Sequence, residues 1–192
     1  MRARVYHFVL PMRSMGDKRE SLEDVARREA SHERELAEAR AEYAKSAEKL
    51  AKEMPVAFFD FCGMLREGVR RFNSAADPQK RLTWRETAAL AAREENLNAD
   101  FHCAFGRNND EVTVALNVMS RAGKPDVYLI EGSGKLGPAA DRFLLRVEGY
   151  VQKGKTLMRI TVDFKRLECD LEELAERLVL AAVKGDYQTL FR

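Results

Sequence analysis

Residues 143–164 read FLLRVEGYVQKGKTLMRITVDF. Apolar side chains recur at every second position on both sides of Lys153-Gly154, the period of a strand. A two-residue turn there sets Gly149 opposite Met158, Val147 opposite Ile160, Leu145 opposite Val162 and Phe143 opposite Phe164. The other face then pairs Tyr150 with Leu157, Glu148 with Arg159 and Arg146 with Thr161. One face is apolar, while the second carries a complementary charge pair. A one-residue slip would exchange the faces, so the pattern specifies its own register. An antiparallel hairpin is the first expectation.

The same alternation precedes this hairpin. Phe101, Cys103 and Phe105 alternate, Asn108-Asn109 supplies a turn, and Val112, Val114, Leu116 and Val118 alternate after it. Asparagine tolerates the positive φ that a tight hairpin demands. This register predicts Phe105 opposite Val112, Cys103 opposite Val114 and Phe101 opposite Leu116. A further strand is expected over 127–130, entered through an Ala122-Gly123 turn. Beyond the hairpins, Asp170-Leu171-Glu172-Glu173 is a helix start signal and Gly185 a stop. Leu171, Leu174, Ala175, Leu178 and Ala182 form its apolar stripe. Tyr187, Leu190 and Phe191 leave an apolar tail expected to dock.

The N-terminal half has a different period. Ser21-Leu22-Glu23-Asp24 reads as a capping box, and neither Gly nor Pro interrupts before Pro55. Leu22, Leu36, Tyr43 and Leu50 recur at multiples of seven, with Glu29 breaking the series. Ala30, Ala37, Ala44 and Ala51 lie one position further round. Glu23–Arg27, Asp24–Arg28 and Glu48–Lys52 supply i,i+4 pairs on the solvated faces. Over 21–54, 1.5 Å per residue gives a helix of roughly 50 Å. A body of about a hundred residues is roughly 35 Å across. The alanine-rich stripe therefore needs a partner along its overhang, because propensity and surface pairs alone give marginal stability. Leu22, Leu36, Tyr43 and Leu50 are the candidate pairing residues, and the expected partner is the next helix of this chain, another copy or a helical protein.

Pro55 disfavours helical geometry at Met54, so a break or kink is expected there. A second, aromatic-rich helix then buries Phe58, Phe61, Cys62, Leu65, Val69 and Phe72 on one face. A loop follows at 73–78. Thr83-Trp84-Arg85-Glu86 reads as another capping box opening a helix towards Asn96, with Ala88, Leu90, Ala91 and Leu97 inward. The resulting fold class is α+β. A long N-terminal helix and helical hairpin precede an antiparallel sheet of about five strands, packed against a C-terminal helix. The organisation is 1–16 as a strand-like segment around the apolar run 5–10, 17–76 as the two helices, and 77–192 as the α+β domain.

Gly132-Ser133-Gly134-Lys135 lacks the earlier glycine and the following Ser or Thr of a phosphate loop, since Leu129 and Leu136 stand there. A flexible connection containing Gly137-Pro138 is expected instead. His102 and Cys103, adjacent in a strand, point to opposite faces and cannot form a dyad. No Cys-x-x-Cys, His-x-x-x-His or Gly-x-Ser-x-Gly occurs. No catalytic residue, metal ligand or cofactor is assigned, and the chain reads as non-enzymatic. Arg66, Arg70, Arg71, Lys80, Arg81 and Arg85 form a local basic stretch that could meet nucleic-acid phosphates. Net charge is only +2, so no general field draws the chain to polyanions or membranes. A third reading is a small-molecule site lined by Phe58, Phe61, Val147 and Ile160. Three scattered cysteines argue against a disulfide framework and for the cytoplasm. No apolar stretch is long enough to span a bilayer.

Overall fold

The computed structural model describes residues 21–94, 96, 99–107, 110–121, 124–136 and 142–192. The expected strand at 5–10, the turns at Asn108-Asn109 and Ala122-Gly123, the Gly137-Pro138 connection and Leu97 lie outside the described residues. The fold is α+β. Helix α1 (Leu22–Ala75) leads. Strand β1 (Thr83–Glu86) and the short helix α2 (Ala88–Ala92) follow. Strands β2 (His102–Arg107), β3 (Asp110–Arg121), β4 (Lys124–Lys135), β5 (Phe143–Gln152), β6 (Lys155–Val162) and β7 (Lys165–Leu167) come next, and helix α3 (Leu171–Lys184) after them. The chain divides into two units, one through Arg40 and the other Ala41–Arg192.

The sheet has seven strands in sequence order, every neighbouring pair antiparallel. Seven strands replace the expected five, because β1 and β7 add short edges. The expected registers hold at Phe105–Val112, Cys103–Val114, Leu145–Val162, Val147–Ile160 and Gly149–Met158. Beyond the ladder, the Leu116 amide donates to the Phe101 carbonyl at 3.0 Å. Lys153 and Gly154 have φ of 50° and 74°, the left-handed pair that a tight hairpin requires.

Phe143 and Phe164 do not pair. Strand β6 ends at Val162, and Asp163 and Phe164 turn with φ of 48° and 66°. The Asp163 carboxylate holds that turn by accepting from the Leu144 amide at 2.9 Å. Phe143 instead stacks on Tyr187, centroids 6.4 Å apart.

Two further expectations are corrected. Thr83-Trp84-Arg85-Glu86 is strand β1, not a helix start. Its Trp84 lies opposite Phe105 and stacks on it at 6.1 Å, and that long-range contact outweighs the local capping pattern. Helix α2 is only five residues long. Pro55 does not divide α1, so the two helical segments are one helix of 54 residues and form no hairpin. A mid-helix proline forfeits one hydrogen bond and costs about 3 kcal/mol. Burial of Met54, Pro55 and Phe58 around it offsets that.

The core lies between one sheet face and the two long helices. Met54, Phe58, Phe61, Cys62, Leu65 and Val69 from α1 join Phe105, Val114, Ile130, Phe143, Val147 and Ile160 from the sheet. Leu174, Leu178, Ala181 and Ala182 of α3 complete it. Gly149 admits α1 closely: a Cβ there would stand 2.5 Å from the Met54 sulfur and 3.0 Å from Leu50 Cδ2. Asn73, near the end of α1, exchanges two 2.8 Å hydrogen bonds with the Leu82 backbone. Helix α3 has the expected caps: the Asp170 carboxylate accepts from the Glu173 amide, and Gly185 closes the helix at φ 62°.

Candidate functional site

Residues 21–45 are all exposed. The Ser21 hydroxyl caps α1 by accepting from the Asp24 amide at 3.1 Å and donating to the Asp24 carboxylate at 2.8 Å. Of the four candidate pairing residues, Leu22 is 88% exposed, Leu36 41% and Tyr43 54%. Leu50 is different: it packs on the domain's own core near Gly149. A glycine in β5 opposite α1 was the only signal for that in the sequence.

The basic stretch is interleaved with carboxylates. Arg66 pairs with Glu86 at 2.6 Å and its guanidinium lies 5.7 Å from the Trp84 ring. Arg70 pairs with Glu67 at 2.7 Å and Arg71 with Glu176 at 3.5 Å. Lys80 approaches Asp77 at 3.8 Å, and Arg85 pairs with Glu111. Arg81 is exposed. The six do not form one surface of free cations. The hydrogen bonds from Arg70 hold the Glu67 carboxyl below the ordinary carboxylate range.

The second sheet face holds a cleft of about 290 Å³ that sequence reasoning missed. Thr113, Ala115 and Ser133 are among its small lining residues, and Leu144 and Phe164 are among its apolar ones. Glu131 accepts from Asn117 at 2.7 Å and from Arg146 at 3.0 Å. Phe164 is 93% exposed. The alternation of Thr113, Ala115 and Asn117 was the available signal. The cleft's existence depends on four adjacent strands, which that alternation could not reveal. Gly132-Ser133-Gly134-Lys135 lies within β4, so it is strand and not a loop.

Phe58, Phe61, Val147 and Ile160 are at most 2% exposed and belong to the core. Cys62 of α1 and Cys103 of β2 bring their sulfurs to 3.6 Å, both buried. Contact with Cys103, then burial, pushes the Cys62 thiol up, which disfavours a reactive thiolate. His102 Nδ1 lies 3.0 Å from the Asp100 carboxylate near the surface. Among the described residues, no three His, Cys, Asp or Glu side chains cluster in a way that could hold a metal ion. No helix among the described residues is long and apolar enough to cross a membrane.

No protein-family model matches this chain, and no curated protein or solved structure shows significant similarity to it.

Proposed function

We propose that this chain is a self-associating interaction protein in which α1 is the pairing element and the sheet domain is the body it assembles. One observation carries the reading: residues 21–45 of an uninterrupted helix are exposed together with Leu22, Leu36 and Tyr43 on an alanine-rich stripe. Isolated helical segments are marginal in water, and most helical stability comes from covering an apolar face. A second helix laid on this stripe would supply that cover. The free cysteines fit a reducing, cytoplasmic setting.

Size-exclusion chromatography with light scattering tests the reading. The wild-type chain is expected at a multiple of its 21.9 kDa mass. Leu36→Glu with Tyr43→Glu should weaken assembly about a hundredfold, the effect of losing two apolar contacts of somewhat over 1 kcal/mol each. A monomeric wild type at the highest soluble concentration would sink the proposal.

A small-molecule role has one specific support, the cleft on the second sheet face, which is close in size to the smaller ligand pockets. Ala115→Trp would fill it and should abolish any ligand-induced thermal shift found in a compound screen. The nucleic-acid reading is weaker, because five of the six candidate cations already face carboxylates. It requires binding that falls steeply with salt, and no affinity for single or double strands at low salt removes it.

A further inference from the structure

The pairing stripe consists of three lanes. Leu22, Glu29, Leu36 and Tyr43 form the first, and Ala30, Ala37 and Ala44 the third. Ala26, Glu33, Arg40 and Ala47 run between them, since a step of four residues turns about 40° and a step of one about 100°. Glu33 and Arg40 therefore sit in the middle of the apolar stripe. On a helix, opposite charges pair at three or four residues' separation. The neighbours of Arg40 at those separations are Leu36, Ala37, Tyr43 and Ala44. Those of Glu33 are Glu29, Ala30, Leu36 and Ala37. Neither has an opposite charge within reach along α1. Elsewhere on the same helix such pairs form, as Glu48–Lys52 at 2.7 Å and Lys49–Glu53 at 3.6 Å.

We infer that the partner of α1 is the α1 of a second copy running antiparallel, with Glu33 of each chain facing Arg40 of the other. This rests on the self-association reading above. An axis between Leu36 and Ala37 achieves it. Ala26 then meets Ala47, Leu36 meets Leu36, Ala37 meets Ala37, and Glu29 stands beside Tyr43, whose hydroxyl can donate to its carboxylate. The residue that interrupts the leucine series thereby gains a partner. A parallel, in-register pair would set Glu33 and Arg40 each against its own copy, two like-charge contacts in place of the complementary ones. The helix dipoles also oppose one another in the antiparallel arrangement. The alanine lanes allow close approach, which dries the ion pairs and strengthens them. The seam ends near Ala47, because Leu50 and Ala51 pack on their own core.

Disulfide trapping in the full-length chain tests orientation. In a Cys169→Ser background, Ala26→Cys and Ala47→Cys chains of different tag mass are mixed and oxidised mildly, and the products are read by mass spectrometry. Cys62 and Cys103 are buried and stay in place. The mixed disulfide should exceed either homodisulfide about tenfold, the ratio given by a 1.4 kcal/mol preference. As a second measurement, Glu33→Arg should weaken the dimer about tenfold, and Glu33→Arg with Arg40→Glu should restore it. In a parallel dimer the single swap would exchange one like-charge contact for another and change little. Dominant homodisulfides overturn the antiparallel arrangement and leave self-association standing. A dimer that traps no disulfide overturns the seam. A monomer by light scattering overturns both the seam and the reading it rests on.

Discussion

Two stretches of α1 meet the same backbone requirement with opposite chemistry. Residues 22–45 are rich in alanine and charge and have no buried member. Further along, Met54, Phe58, Phe61, Cys62, Leu65 and Val69 are almost fully buried. The first stretch has no proline, a capped start and good helix formers, so within its own chain its helix rests on local preference, which alone is marginal. The second contains Pro55 and an aromatic run that lowers intrinsic propensity. It stays helical because the sheet and α3 cover it. Local preference and burial are thus different sources of helix, the second the stronger, and only the first leaves an apolar stripe exposed.

The largest test of that contrast is Phe61→Ala, at a position with no exposed surface. It should lower unfolding stability by about 3–5 kcal/mol in denaturant titration, through lost transfer energy and a cavity. A loss below about 1 kcal/mol would mean that this face of α1 is loosely packed.

Gly149→Val probes the handover between the stretches. Its new Cβ would crowd Leu50 and Met54. Overpacking of this kind costs about 1–3 kcal/mol, measured as a shifted midpoint with an unchanged denaturant slope.

Leu36→Ala should behave in the reverse manner. At concentrations where the chain is dissociated, stability should change by no more than about 0.5 kcal/mol, as for surface sites generally. The assembled form should be lost at higher concentration. A large loss in the dissociated chain would show that Leu36 serves its own fold.

The smallest effect concerns Glu48, whose hydrogen bond from Lys52 holds its carboxyl below the ordinary range. A depressed folded value means that the pair contributes above the ordinary carboxylate pKa and is lost as pH falls through the lowered one. Lys52→Ala should return the Glu48 titration, followed by carboxyl NMR, to the ordinary range. Because both groups are exposed, thermal stability should barely respond.

Much of this was legible from local pattern. The hairpin across Lys153-Gly154 is register-specified by its own side chains, and the caps at Ser21 and Asp170 lie within one helical turn of what they cap. The exposed stripe of Leu22, Leu36 and Tyr43 was equally readable, because residues seven apart share a face whatever surrounds them. The cleft was not readable, since Thr113, Ser133 and Thr161 meet only through the order of four strands.

The sequence by itself determined the α+β class, the ends of α3 and the paired registers, because alternation and capping are satisfied among near neighbours. Tertiary structure decided the rest. It carried α1 through Pro55, made Thr83-Trp84-Arg85-Glu86 a strand beside β2, turned Phe164 out to solvent and drew Leu50 against the core. At Pro55 and at Thr83-Trp84-Arg85-Glu86 a contact with residues distant in sequence outweighed a local preference of about 1–3 kcal/mol. No window of neighbouring residues contains that contact.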